Sequence, residues 1–406
     1  MIPTGHSKGF VRTRLDRLRT VLARHVGPDG VPGLVALVAR GDETHVEALG
    51  ERTIGGAPVT RDTVFRISSM TKAVTAVAAL MLVEECRLRL DEPVDELLPE
   101  LANRRVLRRV DGPLDDTVPA HRPITVRDLL TFTMGTGLLM APPDSHPILQ
   151  AMAVLDLGQG PPQPADVPAP NEWLPRLGTL PLMHQPGERW LYNTGADVLG
   201  VLVARASGQP FERFLGERLF GPLGMGSTGF SVAPDRLDRF TTCYWTDPAT
   251  GARAVYDEAA GGQWATPPAF PSGGSGLVST VDDFLAFSRM LLDGGRCTGE
   301  RILSRASVEL LSSDQLTPEQ KAASELVPGF FDTRGWGYGV SVVTRQTELG
   351  HPLYQYGWDG GLGSSWAIDP VDQVIGIILT TRAFTSPVAP PVVQDFWTSA
   401  YQALGD

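Results

Sequence analysis

The β-forming runs of this 406-residue chain lie near its two ends, and that placement limits the folds open to it. Gly33-Leu34-Val35-Ala36-Leu37-Val38-Ala39 is a short, continuous apolar stretch that reads as a buried strand. His45-Val46-Glu47-Ala48-Leu49 reads as its hairpin partner across Gly41-Asp42, and Thr63-Val64-Phe65-Arg66-Ile67 as a short extended piece. The other strong strand patterns come near the far end: Gly339-Val340-Ser341-Val342-Val343, Ser365-Trp366-Ala367-Ile368 and Val374-Ile375-Gly376-Ile377-Ile378-Leu379. Between them the pattern is mainly helical. Helices are expected near 10–26, 69–86, 125–132, 195–206, 210–220, 281–293, 305–312 and 390–403, with one β excursion near 239–256. The expectation is an α+β fold. One antiparallel sheet is formed from N- and C-terminal segments flanked by helices, and a mainly helical region is inserted. A single catalytic domain would span 1–406, with 1–90 and 310–406 as its α/β part and 91–309 as its helical part.

Composition excludes several classes of function. A net charge of −11 argues against a general nucleic-acid binder, which needs basic surface to displace counterions. No segment holds about 18 uninterrupted apolar residues, so no membrane partner is expected. Arginines at 12, 14, 17, 19 and 24 break any signal-peptide core, which makes the cytoplasm the expected location. Cys86, Cys243 and Cys297 are too few and too far apart for a disulfide framework, and the seven histidines form no metal-spaced cluster. No metal and no cofactor are expected, and oligomeric state is unreadable. His184 and His351 lie close enough to the motifs below to line a cleft, though loop histidines are the commoner case.

Lysine usage singles out one residue. Lys and Arg total 35, yet only Lys8, Lys72 and Lys321 are lysines. Arginine cannot surrender its proton in a protein, whereas a buried lysine can. Lys8 and Lys321 lie in polar segments and read as plain surface residues. Lys72 lies in an apolar helix start, in Phe65-Arg66-Ile67-Ser68-Ser69-Met70-Thr71-Lys72. Residues three apart share a helix face, so Ser69 and Lys72 meet. A serine hydroxyl needs a base to become a nucleophile, and a neutral lysine can serve. Ser69 at the helix N-terminus gains from the dipole and free N–H groups there. A second segment, Pro186-Gly187-Glu188-Arg189-Trp190-Leu191-Tyr192-Asn193-Thr194-Gly195, can present Tyr192 just before a helix as a proton relay. A third, Gln355-Tyr356-Gly357-Trp358-Asp359-Gly360-Gly361-Leu362-Gly363, has four glycines in seven residues at a strand edge, where a backbone N–H could complete an oxyanion hole. Each segment alone also has a purely structural reading: a capping serine with a surface lysine, a core tyrosine, a glycine turn.

Together and in this order, the three segments resemble the serine β-lactamase and penicillin-binding-protein superfamily, most of all class C β-lactamases and family VIII carboxylesterases. Ile124-Thr125-Val126-Arg127-Asp128-Leu129-Leu130-Thr131-Phe132-Thr133-Met134-Gly135 and Pro271-Ser272-Gly273-Gly274-Ser275-Gly276-Leu277 extend the likeness over roughly residues 30–385. The resemblance implies a Ser69 acyl-enzyme. Lys72 would be base, Tyr192 would share that role and pass the proton on, and the N–H groups of Ser69 and Gly361 would hold the oxyanion. It implies substrate contacts from Thr194, Trp358, Asp359 and Gly360. Two departures stand out. Tyr-x-Asn becomes Tyr192-Asn193-Thr194, which loses an amide at the third place. Lys-Thr-Gly becomes Trp358-Asp359-Gly360, which removes a cation, suits a neutral acyl or alcohol group, and sets Asp359 against anions. Cleavage of small, largely neutral esters therefore ranks first, with a small-molecule acyl substrate as the partner. A β-lactamase, D-amino-acid peptidase, amidase or acyltransferase on the same site ranks second, and a non-catalytic binding protein third.

Gly5-His6-Ser7-Lys8-Gly9 imitates a Gly-x-Ser-x-Gly nucleophile elbow. That motif needs a buried strand before it, and only four residues precede it here. Ser7→Ala should leave ester cleavage at the wild-type rate in a nitrophenyl ester assay; an inactive variant would move the nucleophile to this motif.

Overall fold

The structure, a computed structural model, describes residues 9–247, 249–297 and 299–405. The two ends of the chain meet in one seven-stranded antiparallel sheet. The N-terminal part supplies β1 (Gly33–Arg40) and β2 (Glu43–Gly50). The C-terminal part supplies β3 (Arg334–Trp336), β4 (Ser341–Val343), β5 (Tyr356–Gly360), β6 (Ser364–Asp369) and β7 (Val374–Thr380). Their spatial order is β3-β4-β5-β6-β7-β1-β2. β1 is the seam: Leu34 lies opposite Thr380 on one side and Leu49 on the other. Every residue of β7 is buried, as expected of a strand covered on both faces.

Helices supply both covers. On one face α1 (Arg12–Ala23) packs with α5 (Pro391–Gln402), and Leu15, Leu18 and Leu22 join Val392, Phe396 and Trp397 in one apolar cluster. On the other lie α2 (Thr71–Glu84) and α4 (Val281–Leu292), with the helical region beyond them. Residues 71–82 of α2 are all buried, so this helix runs through the middle of the molecule. α3 (Thr194–Ser207) packs against it. Among the described residues no helix is long and apolar enough to cross a membrane.

Several expectations change in detail. The helix expected over 69–86 opens with a tight 3-10 turn, Ser68–Met70, and becomes α-helical only at Thr71. The helix expected over 210–220 is α-helical at Phe211–Leu215 and π-helical at Gly216–Phe220. No helix was expected between 132 and 195, yet helices Pro147–Val154 and Pro170–Thr179 lie there, each opened by a proline that presets the first turn. Lys321 is no plain surface residue: its ammonium lies 2.6 Å from Asp314 in a partly buried pair. The Gly5-His6-Ser7-Lys8 stretch lies outside the described residues. Cys86 and Cys243 are free thiols.

Close packing of β7 on α5 rests on one missing side chain. A Cβ at Gly376 would lie 2.5 Å from the Trp397 ring. Gly376→Ala should cost about 1–3 kcal/mol by overpacking, read as a lower urea midpoint with an unchanged slope.

Candidate active site

The turn before α2 aims the serine. Ser68 has φ 46°, a left-handed conformation that side chains other than glycine adopt at a cost. It bends the chain sharply between the short strand Phe65–Arg66 and α2, leaving Ser69 at the floor of a cleft of about 1040 Å³. Lys72 follows on the first turn of α2 and is 1% exposed. Its Nζ lies 2.9 Å from Ser69 Oγ, 2.8 Å from Asn193 Oδ1 and 2.6 Å from the Gly274 carbonyl oxygen. The last two are acceptors only. A neutral amine has two N–H bonds and one lone pair, so two acceptors occupy its hydrogens and leave the lone pair for the serine hydroxyl. Burial pushes the Lys72 ammonium down to about 7, against the pull of Asp197. Burial thus favours the neutral amine, the form that can accept a proton.

Tyr192 closes the triangle. It precedes α3, and Asn193 between them has φ 81° and ψ −68°. Tyr192 Oη is hydrogen-bonded to Ser69 and accepts from Trp358 Nε1 at 2.6 Å. Lys72 Nζ sits 4.4 Å from the centre of its ring. Phe132, Trp190, Trp336 and Trp358 surround that ring at 5.6–6.2 Å between centroids. Burial raises the phenol well above its ordinary value, only partly offset by the bonds from Ser69 and Trp358, so Tyr192 stays protonated and can donate.

The cleft runs along β5. β4 pairs with this strand only at Tyr356 and Gly357, so the stretch 358–360 keeps one edge unpaired on that side. Trp358 points toward Tyr192, while Asp359 alternates to the other face and bonds Ser365, its cross-strand neighbour. Trp358, Asp359 and Gly361 line the cleft together with Ser69, Tyr192 and Asn193. Two expected substrate contacts do not. Gly360 packs against the Ile67 carbonyl, where a Cβ would lie 2.3 Å away. Thr194 is buried as the first residue of α3, because the bend at Asn193 turns the following residue inward. The amide expected to be lost is present after all, one place earlier, at Asn193. Spacing concealed it, since the strained φ of Asn193 is what carries its side chain to Lys72. Gly274 was also missed, because a backbone carbonyl leaves no side-chain signature. Of the two candidate histidines, His351 lines the cleft and His184 does not. Apolar walls come from Leu138, Met140, Pro161, Trp245, Val255 and Phe384.

A family model described as Beta-lactamase matches residues 18–392. The chain belongs to the β-lactamase family. Protein Rv1367c of Mycobacterium tuberculosis is 42% identical over 341 residues, covering 82% of this chain and 81% of the relative. Lovastatin esterase of Penicillium rubens is 31% identical over 365 residues, covering 84% and 85%. Among solved structures, EstCE1, described as a hydrolase with promiscuous acyltransferase activity, superposes with TM-score 0.78 over 96% of this chain and 99% of its own. At 23% identity that likeness speaks to the fold alone, and the fold is that of β-lactamases and penicillin-binding proteins. The chain is thus an enzyme of the serine hydrolase class, like its β-lactamase-family relatives.

In this β-lactamase-family site a neutral indole donor stands where the resemblance leads one to expect a lysine. Trp358→Phe keeps the ring and deletes the N–H to Tyr192. It should lower kcat about three- to tenfold, the worth of roughly 1 kcal/mol of hydrogen bond, with KM little changed. A raised KM at unchanged kcat would instead limit Trp358 to substrate contact.

Proposed function

We propose that this enzyme hydrolyses small, largely neutral carboxylic esters through an acyl-enzyme on Ser69. The observation that carries the reading is the lysine: a buried amine, whose ammonium form burial disfavours, lies within hydrogen-bond reach of the Ser69 hydroxyl and of two acceptor oxygens, so its neutral form is placed to take the serine proton. Ser69 Oγ attacks the ester carbonyl carbon while its proton passes to the Lys72 lone pair. The carbonyl oxygen becomes an oxyanion, held by the backbone N–H groups of Ser69 and Gly361. The intermediate collapses and the C–O bond to the alcohol breaks. The Tyr192 phenol protonates the leaving oxygen and is reprotonated from Lys72. Water then attacks the acyl carbon, its proton passes to the Tyr192–Lys72 pair, and Ser69 is released with the free acid.

Ester preference rests on Trp358, which gives this wall an apolar ring and a neutral donor. A substrate carboxylate finds no cation from that position. Acyl transfer to an alcohol is a second reading, supported by the volume of the cleft: about 1040 Å³ can hold an acceptor beside the acyl group.

A paired assay tests the proposal. The wild type should cleave a short-chain nitrophenyl ester, and Ser69→Ala should lose at least about a thousandfold of that activity. A chromogenic cephalosporin should turn over slowly. Strong cephalosporin turnover with weak ester cleavage would reverse the order of substrates. Ester cleavage untouched by Ser69→Ala would end the mechanism.

A further inference from the structure

The active-site geometry leaves one charged neighbour without a task. Asp197 lies on α3 one turn after Asn193. Its Oδ1 accepts from Ser272 Oγ at 2.6 Å and from the Gly274 backbone N–H at 3.0 Å. The carbonyl of that same Gly274 accepts from Lys72 Nζ at 2.6 Å. One glycine is therefore tied to Asp197 at its nitrogen and to the base at its oxygen. The loop is pinned from the α2 side as well, where Thr75 Oγ1 donates to the Gly273 carbonyl at 2.7 Å. There is no slack in this arrangement. A Cβ on Gly274 would lie 3.1 Å from both Asp197 oxygens and 3.2 Å from Asn193 Oδ1, and one on Gly273 would lie 2.4 Å from the Ala196 carbonyl.

We propose that Asp197 is a positioning residue for acylation, holding the Gly274 carbonyl on Lys72 and supplying the counter-charge for the ammonium that forms as Lys72 takes the Ser69 proton. The inference rests on the acyl-enzyme reading above and adds a residue to it. The groups facing Lys72 are few. They are Ser69 on its own turn, Tyr192 and Asn193 ahead of α3, Asp197 on α3, and the Gly274 carbonyl. Of these, Tyr192 is a neutral phenol, and Asp359 on β5 acts on Tyr192 instead. That leaves Asp197 as the negative charge whose field reaches the base. Burial lifts its own carboxyl above the ordinary range, opposed by the Ser272 hydroxyl, the Lys72 charge and the Gly274 N–H.

A merely structural role, a tether for the loop, makes a different prediction. Both tethering bonds end on the same oxygen, Oδ1. Asp197→Asn can keep that oxygen and both bonds while deleting the charge, which separates the two roles.

The sign of the effect follows from which form of Lys72 works. The neutral amine is the base, so kcat/KM rises with pH through the Lys72 pKa, about 7. A nearby carboxylate favours the ammonium and holds that pKa up. Removing the charge lets it fall, so the acid limb of the profile moves to lower pH by about half a unit or more. The plateau falls as well, about three- to tenfold, because the ammonium formed in acylation has lost its partner.

The experiment is the pH profile of kcat/KM on a nitrophenyl ester for the wild type, Asp197→Asn and Lys72→Arg. If the asparagine variant does not fold, Asp197→Ser deletes charge and tether together, and the position of the acid limb alone, not the plateau, then decides. An acid limb displaced downward with a lowered plateau supports the assignment. An unmoved limb overturns it and leaves Asp197 a tether. Lys72→Arg keeps the two failures apart. If that variant is inactive and the limb is unmoved, only the role of Asp197 falls. If it is active, Lys72 is not the base and the acyl-enzyme scheme falls first.

Discussion

One amine buried in an apolar helix governs the architecture around it. Lys72 is enclosed on a helix whose neighbours are alanine, valine, threonine and leucine. An ammonium stripped of water costs several kcal/mol unless partners replace the water, so the side chain must be surrounded by oxygens or give up its proton. Here both happen. The oxygens come from the same turn, at Ser69, and from two distant segments, at Asn193 and Gly274, and the first two of these lie at unusual backbone. Ser68 beside Ser69 and Asn193 beside Tyr192 are both non-glycine residues at positive φ, as is Phe132 under the Tyr192 ring. Strain of this kind persists only where packing enforces it. The aromatic cluster and the burial of residues 71–82 of α2 provide that enforcement.

Trp358 lies in the same enclosure and bonds Tyr192 through its indole N–H. An indole offers one N–H and no charge. Tyr192 therefore keeps a donor on its oxygen while the cleft wall turns from cationic to apolar. The aromatic cluster extends past the catalytic groups to Phe330 and Phe331, so the ring that touches Tyr192 also belongs to the wall a substrate would meet. One residue thus both bonds the Tyr192 hydroxyl and lines the cleft.

The outline of the fold was readable from sequence because β7 and β1 are continuous apolar runs and α2 is an apolar stretch too long for a strand. β3 was not readable: three residues with a central glycine carry no period. The placement of Ser69 and Lys72 together was readable for a chemical reason, since a chain that otherwise uses arginine had kept a lysine in an apolar setting. Asn193 and Thr194 show the limit. Which of two adjacent side chains enters the cleft depends on one φ angle, and spacing in the sequence carries no record of it. The role of the Gly274 carbonyl was hidden for a related reason, because any residue has a carbonyl and only the path of the loop brings this one to the amine.

The order of strands in the sheet bears on how the molecule comes into being. β1 is complete after residue 40, yet the strand that pairs along its full length ends at Thr380. During synthesis the N-terminal hairpin leaves the ribosome with one long apolar edge open, and more than three hundred residues must follow before β7 arrives. Pairings so distant in sequence form slowly, and an open edge invites wrong partners meanwhile. The turn that carries Ser69 packs against β5 and β6, both of which are made late. Ser69 lies in the first fifth of the chain to be translated, but its surroundings are among the last. A nascent chain therefore carries the serine for most of its synthesis without the means to use it.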